Sequence, residues 1–342
     1  MTRAPAPPAA VVTRGDAAEA WHAAAVAVVD GDGRVTHALG DPELVTFTRS
    51  AIKPLQALPL CLTGARDTLA IDDEALALAA ASHDGGDVQR DIAARLLAKA
   101  GATAAQLQCG AHWPIGMRTA GRYPCAGEDR DPLRHNCSGK HAGFLAVARV
   151  LGVPPERYLD PDAAVQRAVK RAVADACELD EATLRVGTDG CSAPNFAMPL
   201  AALARGFKNL ATRGPSGTPR DAGLARVRAA MQAHPRLVSG EGRFDFELAA
   251  AFGARVVSKG GAEALQAIGF SDPPLGIAVK VLDGADRAAG PIIMAVLAAL
   301  GLVGDRPPAA LAHRVRPTVT NFRGLETGAV VATVTLDEIT IK

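Results

Sequence analysis

Thr48-Arg49-Ser50-Ala51-Ile52-Lys53-Pro54 sets a lysine three residues after a serine at what reads as the start of a helix. Residues i and i+3 share a helical face, so the Lys53 ammonium can reach the Ser50 hydroxyl. A neutral lysine, its pKa lowered by desolvation or a second cation, can take the serine proton and make a nucleophile. Most such pairs are no more than a helix-capping serine with a solvated lysine one turn on. Here Pro54 lies within the first turn, where proline is tolerated, and Leu55, Leu58 and Leu60 make the helix semi-buried. A lysine beside such a face needs a reason.

Two later segments are rich in reactive groups. His135-Asn136-Cys137-Ser138-Gly139-Lys140-His141 precedes a helix expected from about Ala142, and Gly187-Thr188-Asp189-Gly190-Cys191-Ser192-Ala193-Pro194-Asn195 is a second polar, glycine-punctuated loop. A thiolate pair from Cys137 and Cys191 with one or two N or O donors suits a soft divalent ion such as zinc, with Asp189 able to orient a ligand. No Cys-x-x-Cys is present, and single cysteines are more commonly core residues than ligands. A third segment, Val256-Val257-Ser258-Lys259-Gly260-Gly261-Ala262-Glu263, reads as a strand edge lining a pocket, or as a hairpin turn with a solvated lysine. Ser82 in Ala80-Ala81-Ser82-His83-Asp84-Gly85-Gly86 reads, from the residues alone, as a C-terminal helix cap.

Composition sets the limits. With 342 residues, 49% of them hydrophobic, the chain can bury a large core and is no small binding module. Lys+Arg 37 against Asp+Glu 36, with no basic stripe, argues against nucleic acid as a partner. Met1 to Ala10 lacks the apolar run of a secretory signal, and the longest apolar stretch, Ile292 to Val303, fits a buried helix better than a membrane span. A cytoplasmic location is expected, in which the six cysteines stay reduced, most as small core residues.

Strands are expected at both ends and helices between. Ala24 to Asp30, the turn Gly31-Asp32-Gly33 and the segment from Val35 form a hairpin. Gly276 to Leu282 and Gly328 to Leu336 read as strands on either side of an apolar helix, Pro291 to Gly301. Helical patterns occupy Asp73 to Ala81, Val88 to Lys99, Ala142 to Leu151, Asp162 to Cys177 and Asp221 to Ala233, and Gly206 to Arg220 reads as loop. The fold class is α+β: a flexible tail over 1–12, then one catalytic domain over 13–342, in which N- and C-terminal strands share an antiparallel sheet and a helical lobe lies between.

The order Ser-x-x-Lys early and Lys259-Gly260-Gly261 late resembles that of penicillin-recognising serine hydrolases, with Gly260 where those have threonine. Arg49-Ser50-Ala51-Ile52-Lys53-Pro54-Leu55-Gln56, Ala81-Ser82-His83, the Cys-Ser-Gly-Lys-His string at 137–141 and Thr188-Asp189-Gly190-Cys191-Ser192-Ala193-Pro194 together resemble the rhizobial-type, class 3 L-asparaginases over nearly the whole chain. That resemblance implies hydrolysis of L-asparagine on a fold similar to serine β-lactamases and glutaminases, in a homodimer. It implies Ser50 as nucleophile paired with Lys53, Ser82 and Lys259 as a second pair, and Zn2+ held by Cys137, Lys140 and Cys191 with water, Asp189 beside it. Ser82 thereby moves from cap to catalytic group. Arg49, His83 and Asn136 are candidate contacts for the substrate's α-carboxylate and α-amino groups, and the N–H groups of Ser50, Gly260 and Gly261 for its oxyanion.

Two rival readings stand beside this one. A related serine amidohydrolase, whether a glutaminase or a β-lactamase or peptidase-like enzyme, would share fold and dyad but not substrate. A non-catalytic zinc-binding protein would hold metal and turn over no amide.

Overall fold

The computed structural model describes residues 7–122, 124–125 and 130–339. Its strands are β1 (Pro8–Arg14), β2 (Ala17–Val29), β3 (Val35–Leu39), β4 (Val45–Phe47), β5 (Arg185–Thr188), β6 (Pro194–Pro199), β7 (Val256–Gly261), β8 (Leu265–Ser271), β9 (Pro274–Val281), β10 (Thr318–Thr320), β11 (Glu326–Ala332) and β12 (Asp337–Glu338). The large sheet runs β10-β11-β1-β2-β9-β8-β7, with β3 beside the second half of β2 and β12 beside β3, every pair antiparallel. A small sheet, β4-β6-β5, stands apart from it. The architecture is α+β, and N- and C-terminal strands meet where Val11 pairs with Val331.

The expected hairpin is β2–β3. Asp30 closes its turn by accepting the N–H groups of Asp32 and Arg34, each at 2.9 Å, and Gly33 takes the left-handed φ of +82° that such a turn requires. The run before it is apolar at every position because both faces of β2 are covered. Ala25, Ala27 and Val29 enter the core of the helical lobe, while Ala24, Val26 and Val28 enter a second core with the Asp286–Ala299 helix.

Three expectations are corrected. Residues 8–12 belong to a strand rather than to a flexible tail: Ala9 and Ala10 are buried, and β1 pairs with both β2 and β11. Residues 1–6 of that tail lie outside the described residues. Gly206 is not the start of a loop but the middle of the Leu200–Thr212 helix, and only the short segment before Pro219 is irregular. This helix lies directly on the sheet over Gly269 and Gly276, which face each other across β8 and β9. A Cβ at either glycine would collide with a helix carbonyl, Phe207 O or Ala204 O, so the two glycines set the approach distance. Finally, the helix expected from Ala142 begins at Ser138, which brings Lys140 and His141 into its first turn.

Of the cysteines, Cys109, Cys137, Cys177 and Cys191 are buried, Cys61 is half-buried and Cys125 exposed. Among the described residues no helix is long and apolar enough to cross a membrane.

Candidate active site

Chain leaving β4 enters a single 3-10 turn, Arg49–Ile52, and then a short helix from Lys53. Arg49 has φ +46°, a left-handed conformation unfavourable for a residue with a side chain. It persists because its surroundings hold it. Thr48 donates through both N and Oγ1 to Phe196 O at 2.9 Å; Arg49 N donates to Asn195 Oδ1 at 3.1 Å, and Arg49 Nε to Asp189 Oδ1 at 2.8 Å. From the other side, Gly261 of β7 fits against the same turn: a Cβ there would stand 3.0 Å from Ala51 N and from Thr48 O. Ser50 is thus presented half-buried on a turn clamped between the two sheets, in the wall of a cavity of about 560 Å³.

Ser82, Asn136, Gly260 and Gly261 line that cavity with Ser50. Beneath it Lys53 is fully buried, and its Nζ donates to Ser82 Oγ at 2.9 Å and to Asn136 O at 3.3 Å. No hydrogen bond joins Lys53 to Ser50 among the described residues. The lysine of the Ser-x-x-Lys pair is thus engaged with the other cavity serine. Burial drives the Lys53 pKa below the ordinary lysine value; Cys137 and Cys191 oppose that shift and Lys140 adds to it.

Lys259 is not paired with Ser82. Its Nζ donates to Asp245 Oδ2 at 3.3 Å and to Gly260 O at 2.6 Å. Burial pushes its pKa down to about 8, with Lys53 assisting and Asp245 opposing. Asp245 also accepts from Ser258 Oγ at 3.0 Å, Gly260 N at 3.0 Å and Gln266 Nε2 at 2.7 Å. Burial works against its charge, but Lys259 and these donors prevail and hold it below the usual carboxylate range. The Gly260 N–H is therefore committed to Asp245 and cannot serve an oxyanion.

Cys137, Lys140 and Cys191 converge. Gly139 makes this possible, because a Cβ there would collide with Leu78 O, and its absence seats the first turn of the Ser138–Leu151 helix against the Asp73–Ala79 helix. Lys140 Nζ donates to Cys191 Sγ at 3.0 Å. Cys191 in turn hydrogen-bonds Cys137, which with Lys53 and Lys140 holds the Cys137 thiol well below its ordinary pKa against the cost of burial. The same contact and burial raise Cys191. Burial opposes the charge on Lys140, yet Cys137, Cys191 and Asp189 raise its pKa above the ordinary lysine value. Asp189 contacts the cluster through Cys191 Sγ at 4.0 Å. Among the described residues no three His, Cys, Asp and Glu side chains form a metal-holding group. The cluster found here draws its third donor from a lysine, and two sulfurs and an amine brought together around Cys191 fit a soft divalent ion.

Two expected substrate contacts lie away from the cavity. His83 is fully buried and bonded through Nε2 to Ser138 Oγ at 2.9 Å, burial holding it well below its ordinary pKa. Arg49 does not line the cavity: its Nε donates to Asp189 and its Nη1 lies 3.9 Å from Glu263, so Asn136 is the member of that trio in the wall. Sequence reading missed Asp245, Arg243 and Glu263, all in the same wall. Arg243 donates to Ser82 O and, at 2.9 Å, to Ser239 O.

Among solved structures, a β-lactamase from Mycobacterium bovis is 18% identical, with 80% of this chain and 94% of that one covered and a TM-score of 0.45. A structure of Mglu in its native form is 13% identical, covering 83% of this chain and 66% of that one, also with a TM-score of 0.45. No curated protein matches the chain. The family model described as L-asparaginase II matches residues 10–332, from β1 to the end of β11 and through every group described above, and the chain belongs to that family.

Proposed function

We propose that this member of the family is an L-asparaginase of the rhizobial-type, class 3 kind, hydrolysing L-asparagine to L-aspartate and ammonia through Ser50, as a homodimer in the cytoplasm. The observation that carries the serine mechanism is the buried Lys53, its pKa lowered, hydrogen-bonded at 2.9 Å to one of two serines in a single cavity wall. Neutral Lys53 accepts a proton through Ser82 as Ser50 Oγ attacks the side-chain amide carbon. Collapse of the tetrahedral adduct breaks the C–N bond; the proton returns through Ser82 to the leaving nitrogen, and ammonia departs. Water then attacks the Ser50 ester by the same relay and releases aspartate. Burial first and then Lys140 keep Lys53 a usable base, and the mutual repulsion between Lys53 and Lys259 works in the same direction.

The test is ammonia release by the purified protein from L-asparagine and from L-glutamine. Faster release from asparagine supports the reading. Because glutamine is one methylene longer, preference for glutamine would make the protein a glutaminase instead, and no release from either would overturn an amidase function.

Zinc at Cys137, Lys140 and Cys191 belongs to the same proposal, with a positioning role beside Lys53. Only a neutral amine binds metal, so zinc binding expels a Lys140 proton whose pKa the neighbouring sulfurs and Asp189 have raised. Zinc affinity is therefore expected to increase from about pH 6 to about pH 9, measured by competition with a chromogenic chelator. Flat or falling affinity would remove Lys140 from the ligand set.

A further inference from the structure

We propose that Glu263 accepts the α-ammonium of the substrate, so that the cavity selects a free zwitterionic amino acid over the same amide without an α-amino group. This deepens the amidase reading and rests on the same cavity.

The cavity wall carries three acids, Asp245, Glu263 and Asp286, and two bases, Arg243 and Arg314. Two of these charges are already satisfied. Asp245 is saturated by Lys259, Ser258, Gly260 and Gln266, and Arg314 grips Glu247 through two bonds of 2.7 and 3.1 Å. Glu263 differs from both. Its side chain is 64% exposed; among the described residues its carboxylate lies 3.9 Å from Arg49, a guanidinium whose Nε Asp189 already holds at 2.8 Å, and nearby Lys280 donates to the Glu263 main-chain oxygen rather than to the carboxylate. A carboxylate in that state retains most of its acceptor capacity.

Its position is built rather than incidental. Gly261 docks on Thr48–Ala51, so the chain that carries Glu263 is fixed to the turn that presents Ser50. Glu263 and Ala264 then take φ of +62° and +52°, two consecutive left-handed residues neither of which is glycine. Such a turn is unfavourable for side-chain-bearing residues and would be relieved by Asn-Gly. Across the gap, Gly284 stands where a Cβ would collide with Glu263 Oε2, so its missing side chain leaves that carboxylate its place. The wall thus has the exposed Glu263 carboxylate beside the turn that presents the nucleophile, where the α-ammonium of an amide substrate held at Ser50 would come within reach.

L-aspartate and succinate, which differ only in the α-ammonium, test this by calorimetry on the wild type, Glu263→Gln and Asp286→Asn, with ammonia release from L-asparagine measured on the same wild-type sample. Wild type and Asp286→Asn should bind aspartate about tenfold or more tighter than succinate, as expected for a charged hydrogen bond, and Glu263→Gln should bring the ratio close to one with succinate binding unchanged. Because the Glu263 carboxylate is exposed, the variant should melt with the wild type. No preference in the wild type, equal loss of both ligands in Glu263→Gln, or a preference that collapses in Asp286→Asn instead would overturn the assignment. A collapsed ratio in a protein that releases no ammonia would sink the amidase reading and leave the Glu263 assignment standing.

Discussion

Ser50→Ala and Lys53→Met are each expected to lower kcat/KM for L-asparagine by about 10⁴-fold or more, and the double variant is expected to be no worse than either single one. Nucleophile and base act as a unit, so removing the second member of a disabled pair costs little. Lys53→Met carries its own proof of folding. Lysine has an ordinary pKa of about 10.4, and burial lowers it in the folded state. Between the two values the unfolded chain binds more protons than the folded one, so folding costs stability at neutral pH, and stability rises as pH rises toward the unfolded value. Methionine, of similar length and uncharged, removes that penalty. The variant should therefore melt no lower than wild type at pH 7, with a weaker rise of melting temperature toward alkaline pH. An additive double variant, or activity surviving Ser50→Ala, would move the nucleophile away from Ser50.

Much of this site was legible because its signals are local. Ser50, Lys53 and Pro54 sit within one turn, and the β2–β3 hairpin announces itself through Gly31-Asp32-Gly33 between two apolar runs. What was not legible depends on distant segments. The Leu200–Thr212 helix contains Gly206, Lys208 and Asn209 and resembles a loop until it is seen that Gly206 admits Cys177 Sγ, a contact that a Cβ would tighten to 2.7 Å. The cross-strand glycines that receive this helix carry no sign in the sequence of what lies above them. Proton routing failed to show for the same reason. Spacing pointed Lys53 at Ser50, and the resemblance implied a Ser82–Lys259 pair, but the fold gives Ser82 to Lys53 and Asp245 to Lys259. Asp245 stands in the first turn of the Phe244–Phe252 helix, where an acidic residue reads as ordinary helix-end polarity.

Asp245 has the second large expected effect. Asp245→Ala leaves the buried Ser258, Gly260 and Gln266 donors and the Lys259 amine without their acceptor, and should destabilise the protein by about 3–5 kcal/mol in denaturant melts. Asp245→Asn keeps the shape and removes the charge, and it separates structure from catalysis. Since the carboxylate opposes the burial that lowers Lys259, its loss takes the Lys259 pKa below about 8. Lys259 then carries less charge at neutral pH, and because repulsion between the two lysines is mutual, Lys53 should hold its proton more tightly. The acid limb of kcat/KM against pH should therefore move to higher pH in Asp245→Asn, with activity recovering in alkaline buffer. A stability consequence runs the opposite way. The folded pKa of Asp245 is depressed, so its contribution is present above the unfolded carboxylate value of about 3.9 and is lost as pH falls through the folded one. Asp245→Asn should accordingly be less stable than wild type at pH 7 and lose less on acidification. If its acid limb stays in place, Lys259 does not tune the base, and the Asp245–Lys259 pair serves only to hold β7 against the Phe244–Phe252 helix.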